Sequence, residues 1–251
     1  MGNNYLITGA TSGIGEACVH KLAGNADGMI LVGRNTDKLE SLRKQYEGET
    51  NIFPVAYDLL DLEHIGMVFD ACKANKMRLN GMVYSAGMDG TWPVKVNDTA
   101  QMQRMMVVNC FAFVEMAKNF YKKRNSADGA SIVAVSSIAS LTAEVGMSGY
   151  SASKAALNSY VKTIAKEFVR RRIRVNAVLP GGVSTPMAEE KGKLLESMAG
   201  SGGTTDGNTE NVQPLGMIPR DVIASQVQFL LSDESAYTTG ELFTVGAGRI
   251  Y

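Results

Sequence analysis

The stretch from Gly149 to Lys154 reads "GYSASK" and places a phenol, Tyr150, four residues before a primary amine, Lys154. At the start of a helix that spacing puts both groups on one face. A free tyrosine, with a pKa of about 10, is too weakly ionised near neutrality to cycle between acid and base. A neighbouring ammonium favours the phenolate and lowers that pKa, so the pair would make a tyrosine usable as a proton donor. The same letters also fit Ser-x-x-Lys through Ser151 and Lys154, the nucleophile motif of an acyl-transfer enzyme. That chemistry needs a Ser-Asp-Asn and a Lys-Thr-Gly, and the nearest approaches are "SDE" and "KTI".

A second constellation lies at the other end of the chain. Thr8, Gly9, Ser12, Gly13, Ile14 and Gly15 fall in "TGATSGIG", between an apolar run and the helical pattern "EACVHKLAG". Strand, glycines, helix is an anion-binding arrangement, because glycines allow close backbone approach and the helix start offers unpaired N–H groups to a pyrophosphate. In a dinucleotide site an acidic residue is expected about twenty residues further on if the adenosine ribose carries a free 2′-hydroxyl. Gly33-Arg34 stands there instead. An arginine accepts a 2′-phosphate, which favours NADP(H) over NAD(H).

The elements that must hold these groups follow from the hydrophobic pattern. Strand-like runs at Tyr5–Thr8, Met29–Val32, Ile52–Ala56, Gly81–Ser85, Ser131–Ser136, Arg174–Val178 and Leu242–Val245 are separated mostly by helical patterns, including a long one in "MQRMMVVNCFAFVEMAKNFYKK". Several strands are almost wholly apolar, which suits a mostly parallel sheet with helices on both faces. The predicted fold class is α/β, a doubly wound sheet of seven strands in one domain over 1–251, with ligands at the carboxyl ends of the strands. The exception is Ala188–Pro214, whose glycine-rich second half cannot build a core and is read as a mobile lid over a substrate.

Composition excludes other classes. With 25 basic and 25 acidic residues the formal charge is zero, so no global field draws nucleic acid or an anionic membrane. The basic runs Lys122–Arg124 and Arg170–Arg172 sit where helices should end and are read as dipole-favoured surface charge. Cys18, Cys72 and Cys110 are far apart, and His20 and His64 lack ligand spacing, so no metal or disulfide framework is expected. No charged leader or long apolar span is evident, and a soluble cytoplasmic protein is expected.

Taken together, "TGATSGIG", "YSAG", Asn109, "VSS", "YSASK" and "PGGVST" resemble the short-chain dehydrogenase/reductases, a single-domain Rossmann-fold family, over nearly the whole chain. Tyr150 and Lys154, Ser137 thirteen residues before the tyrosine, and Asn109 twenty-eight before the serine stand in the family's order. The resemblance implies Tyr150 as proton donor, Lys154 as its partner and a ribose ligand, Ser137 as substrate anchor and Asn109 as support for a water-linked proton path. It implies cofactor contacts from Thr8, Gly9, Ser12, Gly13, Ile14, Gly15, Arg34, Asp58, Leu59, Ser85, Ala86, Gly87, Pro180, Gly181, Val183 and Thr185, besides Tyr150 and Lys154. Two places depart from the family's text: Ser85 stands where Asn precedes Ala-Gly, and "VGAG" near the C-terminus lacks the usual Asp.

The implied activity is NAD(P)-dependent reduction of a ketone, or the reverse, with 3-oxoacyl-carrier-protein reduction the first substrate guess. A keto-sugar or another small ketone or alcohol is the alternative, because "MDGTWPVKV" is unlike those reductases. Met88, Trp92, Val145, Met147, Met187, Leu194 and Met198 suggest a partly apolar pocket mouth, though methionines also fill core gaps. A non-enzymatic NADP-binding regulator remains a reading of a different class. The resemblance also implies a homo-oligomer, tetramer or dimer.

Overall fold

The computed structural model describes residues 3–185 and 213–249. Seven strands, β1 (Asn4–Thr8), β2 (Gly28–Gly33), β3 (Asn51–Ala56), β4 (Leu79–Tyr84), β5 (Ser126–Val135), β6 (Arg174–Pro180) and β7 (Leu242–Val245), form one sheet in the order β3-β2-β1-β4-β5-β6-β7. Every pairing is parallel, where the sequence promised only a mostly parallel sheet. Successive strand residues point to opposite sides. Leu6, Ile30, Met82, Ile132 and Ala177 therefore enter one core layer, while Ile7, Leu31, Val83, Val133 and Val178 enter the other. A strand buried on both faces has no polar side, which is why these runs are continuous in hydrophobicity.

Numbered in order along the described residues, the helices are α1 (Gly13–Ala23), α2 (Thr36–Gln45), α3 (Asp70–Ala74), α4 (Thr99–Met106), α5 (Ala112–Phe120), α6 (Ala139–Thr142), α7 (Ser148–Phe168) and α8 (Arg220–Leu231). Helices α1, α2 and α8 cover one face, through Val19, Leu22, Leu39 and Val227 among others. Helices α3, α5 and α7 cover the opposite face. In α7 the buried Leu157, Val161, Ile164 and Phe168 recur at helical spacing, so this stripe fixes which way the helix's amino-terminal turns point.

Three expectations need correction. The helix expected through "MQRMMVVNCFAFVEMAKNFYKK" is interrupted by a π turn at Val107–Phe111. Strand β5 begins at Ser126 rather than Ser131, because its pairing with β4 shifts register between Leu79 and Gly81. Arg171 is not a solvated helix end: it is buried, with Nε 2.7 Å from Asp128 and a guanidinium N–H donated to the Ser126 carbonyl at 2.8 Å. Among the described residues no helix is long and apolar enough to cross a membrane, and the three cysteines are buried free thiols.

Candidate active site

Because β1 lies between β2 and β4, the chain leaves these neighbours in opposite directions and opens a crevice at their carboxyl ends. A cavity of about 410 Å³ occupies it, within the range of small-molecule sites. The glycine loop forms its floor. Gly9 has φ +66°, and a Cβ there would stand 2.9 Å from the Ala86 nitrogen. A Cβ on Gly15 would meet the Gly9 carbonyl at 2.1 Å, so the turn tolerates no side chain there. The Thr8 hydroxyl accepts from the Ser85 and Ala86 N–H groups at 3.2 Å and locks the two loops together. Ser12 precedes α1 without a side-chain cap bond, which leaves first-turn N–H groups for an anion. This cradle fits the pyrophosphate of a dinucleotide.

All the cofactor candidates read from the sequence line the cavity except Thr8 and Gly15, which shape the loop from behind. Arg34 is exposed at the end of β2, with Asp58 and Leu59 beyond β3 at the same end. Pro180, Gly181, Val183 and Thr185 continue the wall after β6. Gln213 holds that wall: its side chain accepts from the Gly182 N–H at 2.7 Å and donates to the Gly182 carbonyl at 3.0 Å. No sequence signal pointed to Gln213, which stands at the end of a segment read as unable to build a core yet is buried.

Ser137, Tyr150 and Lys154 meet in the same cavity. Ser137 follows β5, and its Oγ accepts from the Ala139 N–H at 3.2 Å, so its hydroxyl also caps the turn that follows. Tyr150 is partly buried in the second position after the start of α7. Burial pushes its phenol up to about 12, the Asp89 carboxylate adds to the rise, and a hydrogen bond from Ser137 opposes it. Lys154 is buried one turn on, with Nζ donating to the Val135 carbonyl at 2.8 Å and lying 5.8 Å from the Tyr150 ring centre. Burial brings its ammonium down to about 8, against the pull of Asp89. The expected lowering of the tyrosine pKa by Lys154 is therefore not what this geometry delivers. The ammonium is engaged by a backbone carbonyl over the ring, and loss of water dominates both groups.

Asn109 does not line the cavity. It is fully buried in the π turn, where its Oδ1 accepts from the Met88 N–H at 2.7 Å and its Nδ2 donates to the Met88 carbonyl and to Ser153 Oγ, both at 2.9 Å. Ser153 Oγ donates to the Tyr150 carbonyl at 2.7 Å. Gly87 separates these groups from the amine: a Cβ there would be 3.4 Å from both Asn109 Oδ1 and Lys154 Nζ. The Asn109 side chain braces the segment after β4 against the Tyr150 helix.

Beyond the tyrosine the lining is mixed. Met88 and Met147 are present, but so are Asp89, Glu144 and Arg249, with Glu144 and Arg249 ion-paired. These charged residues are isolated in sequence and carried no motif. Trp92 and Val145 lie outside the lining, and Val145 is fully exposed. Met187, Leu194, Met198 and nearly all of the 188–214 segment, read from the sequence as a lid, lie outside the described residues.

Comparison with known proteins defines the class. Residues 3–195 match the family model described as short chain dehydrogenase. A 3-oxoacyl-[acyl-carrier-protein] reductase of Thermotoga maritima is 31% identical over 255 residues, covering 99% of this chain and 98% of the relative. An NADP-dependent (R)-specific alcohol dehydrogenase of Lentilactobacillus kefiri is 29% identical, with 98% of this chain and 96% of that one covered. A short chain dehydrogenase from Mycobacterium paratuberculosis bound to NAD superposes with a TM-score of 0.85 at 25% identity, covering 98% of this chain and 97% of that one. The chain belongs to the short-chain dehydrogenase/reductase family, and it is an NAD(P)-dependent dehydrogenase or reductase.

Proposed function

We propose that the protein is an NADP(H)-dependent oxidoreductase that reduces a ketone to a secondary alcohol, or runs the reverse reaction, with Tyr150 as proton donor. The observation that carries this reading is the convergence of Ser137, Tyr150 and Lys154 in the cavity floored by the glycine loop. The nicotinamide, when bound, supplies or takes up the hydride. Ser137 holds the carbonyl oxygen, Tyr150 delivers the proton to it, and the Lys154 amine orients cofactor and tyrosine. The oxygen of a ketone taking up hydride becomes an alkoxide, a stronger base than phenolate, so it draws the Tyr150 proton although burial holds the phenol's pKa up. Preference for NADP(H) rests on Arg34, placed at the end of β2 where a 2′-phosphate would lie.

The first substrate class remains a 3-oxoacyl thioester, supported by the full-length likeness to a 3-oxoacyl-[acyl-carrier-protein] reductase. A small polar ketone or alcohol, such as a keto-sugar, is favoured instead by Asp89, Glu144 and Arg249 in the lining. A homo-oligomer acting in the cytoplasm completes the reading. The test is NADPH oxidation by wild type and Tyr150→Phe against an acetoacetyl thioester, a keto-sugar, a cyclic ketone and an α-diketone. Wild type should turn over and Tyr150→Phe should lose about a hundredfold or more in kcat with NADPH affinity nearly unchanged. Equal turnover by both would remove Tyr150 from the mechanism. Silence from both with NADPH bound across a widened panel would favour a cofactor-binding regulator.

A further inference from the structure

We infer that Tyr84 is a positioning residue for this chemistry: its buried hydroxyl holds the π turn that aims Asn109 at the backbone after β4 and at the Tyr150 helix. The catalytic part of this inference rests on the reductase reading above. Tyr84 is the last residue of β4, fully buried, with its ring packed edge-on against Phe113 at 5.2 Å between centres. A hydroxyl in such a place needs a partner. Its partner is the Val108 carbonyl at 2.5 Å.

The reason that carbonyl is on offer lies in the turn itself. In an α-helix the Ala112 N–H would bond the carbonyl four residues earlier, Val108. Here it bonds Val107 instead, one residue further back. Tyr84 fills the place that this slip gives up. A π turn is an unfavourable local state that persists where surrounding contacts hold it. Burial also pushes the Tyr84 phenol well above its ordinary pKa, so it stays a neutral donor throughout the working range.

Asn109 follows Val108 directly, and its three side-chain bonds depend on the turn's geometry. If the turn relaxed to a regular helix, Asn109 would swing about the helix axis, away from Met88 and Ser153. Both partners matter to the site: Met88 lines the cavity, and Ser153 is tied to the Tyr150 carbonyl. A hydroxyl outside the cavity thus governs the placement of groups inside it.

Tyr84→Phe removes the donor and keeps the ring. The expected result is a fall in kcat of about tenfold, with the carbonyl KM and NADPH Kd within about twofold of wild type, since misplacement of reacting groups acts on the chemical step. Hydrogen exchange at the Met88 amide should accelerate, while the β6 amides keep their protection. Phe69→Leu, a core change elsewhere in the same layer, should keep wild-type kcat at a comparable loss of thermal stability. Unchanged kcat in Tyr84→Phe, or an equal loss in Phe69→Leu, would overturn the inference. If wild type reduces no carbonyl, the reductase reading fails separately. Met88 exchange then decides the structural part: equal protection in wild type and Tyr84→Phe would overturn it.

Discussion

Lys154 is buried, and the loss of water around its ammonium holds its pKa at about 8, against an ordinary 10.5. A lysine whose folded pKa is lowered binds fewer protons in the native state than in the unfolded chain, so stability rises with pH between the two values. The partly buried Tyr150 phenol, pushed up to about 12, works the other way, but only above about pH 10. Between pH 8 and 10 wild type, measured without cofactor, should therefore gain about 2 kcal/mol relative to Lys154→Met in urea titrations. Parallel profiles for the two proteins would show that the amine keeps its water. Arg34 belongs to the same scale. Because it is exposed, its substitution should disturb the cofactor more than the fold. Arg34→Asp should weaken NADPH binding about tenfold or more and spare NADH, and equal losses would defeat the NADP(H) assignment. Tyr150, Lys154 and Arg34 were singled out because the chemistry proposed for them needs that residue type at that spacing, and Ser137 by the family resemblance; the fold brings all four to one cavity. Asp89, Glu144, Arg249 and Gln213 were not, because lone charged or amide residues acquire meaning only from what the fold brings beside them.

Elements were legible where one physical requirement dominated the pattern. Strands buried on both faces leave no ambiguity in runs such as "MILV", and six of the seven fell within two residues of their expected bounds, β5 alone starting five residues early. The π turn was hidden because hydrophobic periodicity does not report a one-residue slip; the single hint was an asparagine inside a helix, where it is unfavourable. The left-handed residue closing α6 was equally silent. Ala143 sits at φ 49°, ψ 63°, exposed, with its N–H bonded to the Ala139 carbonyl. A side chain in that conformation costs about 1–2 kcal/mol, more than the extra chain entropy a glycine loses on folding, about 0.5–1 kcal/mol. Ala143→Gly should therefore raise the melting temperature by a few degrees with kcat unchanged. A lower melting temperature would mean that the turn is held by contacts of the alanine methyl.

At the scale of the molecule, the doubly wound class followed from the alternation of strands and helices, but the position of each strand did not. Periodicity says that a segment is a strand, not which neighbour it pairs with, and β1 between β2 and β4 is settled only by how the whole chain winds. That winding has a consequence for how the protein is made. The nucleotide loop is made well before its close neighbour Ala86, which follows three further strands, and before α8, which packs beside α1 in the same layer and follows β6. Arg220 on α8 even supplies a partner, at 3.1 Å, for Glu16 in the first turn of α1. A nascent chain therefore carries the flank of α1 that α8 later covers exposed until α8 is made, a surface that invites chaperones or premature association in the interval.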